Sequence, residues 1–342
     1  MKRGWNLLGS MLLQFDLDAE QSVGWKGGSL FVALLGIHGG PFTDRVGDFQ
    51  TVSNIEAFPT VKLLEVRLEQ AFSEQLALTL GLLALDSDFD IRSSAELFVH
   101  SSPGTGGDLG QVGINGPGIF PVGALGGQLR YQNEGWYGQV AVVDGVPGDP
   151  DNPVGNTFRL SSEEGAFVIG ELGHVWSDDF GELGKLGFGA WGFTETLETH
   201  SDPNRLSSNR GAYLTLEQSL FRESEESAQG LVGYLRTGVA EGSVNPIQTF
   251  VGAGLVYTGA FPGRDEDRLG LAVNSGFASR EYMDSGPFES HETALELTYA
   301  LAVNENVAIQ PSVQYIINPG FDPALQNSLV LGLLGTFKFA TE

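Results

Sequence analysis

The stretch Val61-Lys62-Leu63-Leu64-Glu65-Val66-Arg67-Leu68-Glu69-Gln70-Ala71-Phe72 decides the fold. Leu64, Val66, Leu68 and Phe72 fall on one face, and Glu65, Arg67 and Glu69 fall on the other. That is a period of two, the repeat of an extended strand. On a helix the same charges would scatter around the circumference. The stretch therefore reads as a strand with one apolar and one charged face.

The same alternation continues outward along the chain. Thr293, Leu295, Leu297, Tyr299, Leu301 and Val303 alternate with Ala294, Glu296, Thr298 and Ala300. Val307, Ile309, Val313, Tyr315 and Ile317 alternate with Ala308, Gln310, Ser312 and Gln314. Segments 212–220 and 329–339 follow the rule. Weaker, glycine-rich versions lie near 5–15, 27–37, 76–84, 122–131, 135–143, 166–176, 184–194, 229–239, 248–259 and 268–279. Clusters of Gly, Asp, Asn and Pro separate them as turn signals. Fifteen strands of roughly 9–13 residues are expected. Strands of ordinary globular proteins run nearer ~5–6 residues, whereas a tilted strand of ~9–11 crosses a bilayer.

Composition narrows the classes. The chain has 342 residues, 48 of them Gly, and no Cys. Glycine is thus at about twice its usual share of roughly 7%. With 18 Lys+Arg against 43 Asp+Glu, the net charge of -25 opposes nucleic-acid binding, which needs a basic face. Absence of Cys excludes a disulfide framework, a zinc–thiolate site and a cysteine nucleophile. No apolar run reaches the roughly 18 residues of a spanning helix. A transmembrane β-barrel hides its membrane signal by alternation and fits these numbers. Met1-Lys2-Arg3 begins like a signal peptide, but no cleavage site of small residues follows.

Two stretches break the pattern. Residues 47–58 precede the charged strand without alternation. Residues 86–120 pass through Asp86, Asp88, Asp90 and Arg92, a helix-like Ala95–His100 segment, and a Gly/Pro-rich coil. So long a loop is expected to be functional, and folding into a barrel suits it. The acidic segments 144–158, 197–210, 222–228 and 280–291 read as solvated loops. Charge gathered at 144–151, 178–182, 223–226 and 265–267 is expected to form an acidic outer rim that binds divalent cations between lipopolysaccharide heads.

Alternation alone does not separate a soluble sandwich, whose apolar face is buried between sheets, from a porin, whose apolar face meets lipid. Strand length, strand number and a polar face of Glu, Arg, Gln, Tyr and Gly favour the pore. Phe337 and Phe339 near the C-terminus suit the amphipathic last strand of such a barrel.

On specific segments the chain resembles the carbohydrate-selective porins of the OprB type. Trp25-Lys26-Gly27-Gly28 is followed by Gly47-Asp48-Phe49-Gln50-Thr51-Val52-Ser53-Asn54-Ile55-Glu56-Ala57, and then by Leu68-Glu69-Gln70 and Gly81 to Phe89. Phe98 to Ser102 and Asp144 to Pro150 match too. The most specific segments are Tyr257 to Arg264, Asp267 to Ala272, Glu296 to Tyr299 and Gln310 to Gly320. The resemblance runs almost end to end. It implies an outer-membrane barrel of sixteen strands in a Gram-negative-type bacterium, a monomer or homotrimer, for passive diffusion of mono- or short oligosaccharides. Members usually carry a signal peptide and a further N-terminal segment with a Trp-Gly-Gly motif. Residues 1–342 are accordingly expected to form a single porin domain lacking those parts, with one strand lost there.

A sugar channel needs groups that exchange hydrogen bonds with hydroxyls weakly and fast. Glu65, Arg67 and Glu69 are the first candidates, since opposite signs on one wall set up a transverse field that favours neutral polyols. Arg130, Glu171, Glu217, Arg236, Glu296, Gln310 and Gln314 lie on polar faces, with Tyr213 and Tyr234 as stacking partners. Asp86, Asp90 and Arg92 would enter the lumen with the long loop. Each has a structural alternative, a wall network that stiffens the barrel. Asp86, Asp88 and Asp90 lack the glycine and final Glu of a calcium loop, and the five His show no ligand spacing, so neither metal nor cofactor is expected. The competing reading is a soluble or secreted acidic carbohydrate-binding protein or glycan hydrolase. Glu65 and Glu69 are a poor hydrolytic pair: four residues of strand separate them by roughly 13 Å, beyond the ~6.5–9.5 Å of an inverting pair.

Overall fold

Alternating segments joined by tight turns pair with their sequence neighbours, and here every one does. The computed structural model describes residues 4–179, 181–224, 227 and 229–340. The strands are β1 Leu8–Asp18, β2 Gly28–Gly39, β3 Thr60–Ala71, β4 Leu76–Leu83, β5 Ala124–Asn133, β6 Trp136–Asp144, β7 Ala166–Asp178 and β8 Gly181–Glu198. They continue as β9 Leu206–Arg222, β10 Gly230–Ala240, β11 Ile247–Thr258, β12 Arg268–Ala278, β13 His291–Asn304, β14 Val307–Ile317 and β15 Ser328–Phe337. They form one antiparallel sheet in sequence order, so the fifteen expected strands are the fifteen observed. Meanders of this kind close into up-and-down barrels. Strictly alternating direction makes β1 and β15 parallel, and no ladder joins them among the described residues. A cavity of about 540 Å³ lies between Trp5–Leu8 and Leu329–Leu334 at this seam.

Burial follows the pleat. Leu271 and Val273 on β12 are exposed outward at 56% and 40%, while Ala272 and Asn274 between them are buried at 2% and 1%. Apolar side chains outside and polar ones inside is the inversion that a bilayer imposes. Phe15, Phe72, Tyr131, Trp136, Phe221 and Phe337 stand exposed near the strand ends at one rim, an aromatic girdle.

The charged strand departs from strict alternation at one point. Ala33 pairs with Glu65 but Leu34 pairs with Leu63, a bulge that leaves Leu64 as the extra residue. Leu64 therefore turns inward beside Glu65 and packs on Ala33, Leu35 and Ile37, not on the lipid face. Across the ladder, Gly81 has φ +141° and a Cβ there would lie 1.9 Å from the Val66 carbonyl oxygen, so only glycine fits. Much of the remaining strand glycine makes room for rings. The Tyr213 ring lies over Gly189 and the Tyr234 ring over Gly254, each 2.4 Å or less from where a Cβ would be.

The two rims differ. Connections 72–75, 134–135 and 305–306 are tight, whereas 40–59, 84–123 and 145–165 at the opposite end are long. Short periplasmic turns and long extracellular loops are the rule for outer-membrane barrels. This splits the acidic clusters. Only 144–151 lies at the long-loop end; 178–182, 265–267 and the described part of 223–226 lie at the short-turn end. There Asp178 pairs with Arg222 and Asp267 with Arg264. A single acidic outer rim is therefore not what the fold builds. Segment 280–291, read as plain loop, holds a helical turn at Arg280–Asp284 capped by Ser279. Met1 to Arg3, with their leader-like charges, Phe180, Glu225, Glu226, Ala228 and the last two residues lie outside the described residues.

The lipid face yields a direct test. Val273→Arg places a charge mid-strand toward hydrocarbon and should lower folding stability in bilayers by about 2–4 kcal/mol. Denaturant unfolding in lipid measures it. An unchanged midpoint would show that β12 does not face lipid.

Candidate functional site: the lumen and its inward loop

The long connection 84–123 folds into the barrel, and its course follows from its backbone. A buried N–H or C=O without water must find a partner. Here wall side chains supply the partners. Asp90 N donates to Glu171 on β7 at 2.9 Å, and Ser94 N to Glu217 on β9 at 2.8 Å. Val99 N and His100 N donate to the two oxygens of Glu296 on β13 at 2.8 and 2.9 Å. Gln310 on β14 donates to the Leu97 carbonyl at 2.6 Å. The second inward segment repeats the device. Phe49 N, Gln50 N and Gly320 N all reach Glu292, and Gln314 donates to the Val52 carbonyl. The expected helix-like segment is a single 3-10 turn at Ala95–Leu97.

A charge cluster pins the centre of the loop. Arg92 pairs with Asp90, Arg236 of β10 pairs with Asp90 and Asp108, and all four side chains are at most 1% exposed. Arg92 also donates to Thr215 on β9 and to the Pro103 and Gly104 carbonyls. The Arg236 guanidinium lies 5.3 Å from the Tyr213 ring centroid and 5.1 Å from that of Phe250. Two cations and two anions balance, so the cluster is neutral as well as dry. Burial also holds His100 in its neutral form, with its pKa lowered to about 3, and its Nδ1 accepts from Ser102 N.

The opposite wall is different. From the long-loop end inward, β3 presents Lys62, Glu65, Arg67 and Glu69. Lys62 Nζ donates to the Pro153 carbonyl at 3.2 Å. Glu65 accepts from Ala84 N and from the Ser87 hydroxyl. Arg67 pairs with Asp88 at 2.5 Å and lies 3.6 Å from Glu65, and the Arg67 and Asp88 side chains stay 19% and 13% exposed. Glu69 accepts from Thr79 at 3.3 Å. Asp86 accepts from Phe120 N, and its burial raises its pKa to about 6. Cavities flank this stretch: about 220 Å³ on the long-loop side, beside Lys62, Asn115 and Phe120, and about 260 Å³ on the short-turn side, beside Asp88, Arg130, Tyr137 and Lys185.

The fifteen sequence candidates thus fall into two groups. Glu171, Tyr213, Glu217, Tyr234, Arg236, Glu296, Gln310 and Gln314, with Asp90 and Arg92, lie beneath the loop and are buried. Arg67, Glu69 and Arg130 remain partly solvated, whereas Glu65 is buried against Ala84 N and Asp86 is turned toward the loop's own backbone. Sequence reading passed over Lys62, Asp88, Asp108, Tyr137, Lys185 and Glu292 as lumen residues. Parity could have found four of them, because Lys185, Tyr137 and Glu292 share inward faces with chosen residues and Asp88 shares the spacing of Asp86 and Asp90. Asp108 lies in a single helical turn, Gly107–Gly110, inside the Gly/Pro-rich stretch, and carries no such signal.

Against known proteins, the model of the family described as carbohydrate-selective porin, OprB family, matches residues 2–339. Porin B of Pseudomonas aeruginosa is 22% identical over 367 aligned positions, which cover 94% of this chain and 79% of that one. The high-pH structure of Pseudomonas putida OprB superposes with a TM-score of 0.86 at 20% identity, covering 97% of this chain and 88% of that one. The outer membrane channel DcaP of Acinetobacter baumannii gives a TM-score of 0.57 at 11% identity, covering 96% and 84%. These structural likenesses concern the fold, a porin barrel, and the family match spans nearly the whole sequence. The chain belongs to the OprB family of carbohydrate-selective porins, channels of the Gram-negative outer membrane and not enzymes.

Proposed function

We propose that mono- and short oligosaccharides cross this barrel by passive diffusion along the β3 side of the lumen, in a single porin domain, with Arg67, Glu69 and Asp88 as the selective stretch and Glu65 buried behind Arg67. One observation carries the reading: the Arg67–Asp88 pair is partly solvated, whereas the Arg92, Arg236, Asp90 and Asp108 side chains are sealed at 1% exposure or less. Only groups that meet water can trade hydrogen bonds with a passing hydroxyl. Alternating sign along one wall lays a field across the path, which a neutral polyol tolerates better than a bulk ion of either sign. The sealed residues have a different task. They hold the loop against β7–β14 and so keep the path narrow.

Two outcomes separate these roles. Arg67→Ala should cost less stability than Arg236→Ala, because its pair is partly solvated, and should shift the reversal potential toward cation selectivity, with altered sugar flux in liposome swelling. Wild-type flux and reversal potential together would remove Arg67 from the selective stretch. Arg236→Ala strands Asp108 in a dry site, leaves Asp90 to Arg92 alone, and should cost about 3–5 kcal/mol. It should also raise single-channel conductance as the loop loosens. A stable variant with unchanged conductance would show that the cluster does not hold the loop.

A further inference from the structure

Below the constriction, between the loop stretch Ser87–Ser93 and the wall, the lumen holds a second set of polar groups. The cavity of about 260 Å³ is bounded by Asp88, Arg130, Tyr137, Gln139, Glu182 and Lys185. It shares Arg130, Tyr137 and Val175 with a second cavity of about 380 Å³ at the short-turn rim. The two are therefore neighbours, with Arg130 and Tyr137 standing at their common border. Most polar groups here are already engaged. Asp88 pairs with Arg67, Gln139 donates to the Asp88 carbonyl, and the Tyr137 hydroxyl donates to Glu171 at 2.7 Å. Lys185 donates to the Ile91 carbonyl, and its ammonium lies 5.0 Å from the Tyr137 ring centroid.

Two ionic side chains are left over. Among the described residues, Arg130 makes no hydrogen bond or ion pair, and neither does the Glu182 carboxylate. One offers planar donors and the other acceptors, into the same cavity. The Tyr137 hydroxyl is fixed by Glu171 and its ring by Lys185, so the aromatic surface between the cavities is held in place. Unpaired donors, unpaired acceptors and a fixed aromatic plane are the components of a neutral pyranose site. The neighbouring cavity across Arg130 and Tyr137 offers room for a second sugar ring.

We infer that Arg130 and Glu182, with the Tyr137 ring, form a second sugar-binding station between the Arg67 constriction and the short-turn mouth, one that takes neutral hexoses and the end unit of a disaccharide. This rests on the sugar-channel reading and locates a step within it. A sugar leaving the constriction exchanges its hydrogen bonds for those of Arg130 and Glu182 before it meets bulk water. Two weak stations in series keep each exit barrier low, as conduction through a selective path requires.

Single-channel recording of the full chain tests this, because only folded, inserted molecules conduct. Maltose is added from the short-turn side, and current fluctuations give its half-saturating concentration. Arg130→Gln and Glu182→Gln, tested separately, should each raise that concentration about three- to tenfold, the worth of one net hydrogen bond. The rise should come chiefly through the rate of leaving. Wild-type block with unchanged half-saturation in both variants would overturn the station and leave the channel reading standing. A wild-type protein that passes no sugar in liposome swelling would instead overturn the channel reading itself.

Discussion

The arrangement of this barrel depends on wall carboxylates that accept backbone N–H groups from chain folded into the lumen. Glu171, Glu217, Glu292 and Glu296 take seven such hydrogen bonds between them. A charge-assisted acceptor is about twice as strong as a neutral one, and a buried N–H without a partner costs about 1–3 kcal/mol. The loop is therefore held wherever the wall supplies carboxylates. They stand on β7, β9 and β13, so most of the loop lies on that half of the barrel, while Glu65 on β3 accepts only the N–H of its first residue, Ala84. On the β3 side Arg67 and Asp88 stay partly exposed.

Burial assigns different tasks to similar residues. Arg67 and Arg236 both project inward from the wall and both pair with loop aspartates. Arg236 is closed between Tyr213, Phe250 and two carboxylates, and removing one charge would strand its partners. Arg67 has Asp88 at 2.5 Å and Glu65 at 3.6 Å but keeps partial access to solvent, so its pair can be exchanged. The first kind of pair gives shape to the channel. The second can take part in passage.

The strands were legible because period two survives any filling of the lumen. Thr293 to Ile317 shows the same alternation whether its inner face meets water or a loop. That is also why the site was only half legible. Glu296 and Gln310 have inward parity, and parity does not tell a solvated wall from a loop anchor. Segments such as Phe98 to Ser102 and Gln310 to Gly320 carried the family likeness, and both lie where loop and wall meet. The bulge at Leu64 was not legible, because a leucine on either face of a strand next to Glu65 breaks no local rule. In the sequence, glycine marks turns and small positions on the polar face. Much of it proves to make room for rings, as under Tyr213 and Tyr234, a relation between strands that one strand does not reveal.

The central claim is that one side of the lumen is wet and the other is sealed by the loop. The chain has no Cys, so single cysteines can report on this without background. The measurement is the rate at which a small, charged, membrane-impermeant thiol reagent modifies Glu69→Cys and Thr215→Cys in conducting channels, the second position being buried beneath Arg92 of the loop. Modification should be fast, with loss of current, at position 69 and blocked at position 215. Equal rates at the two positions would contradict that claim.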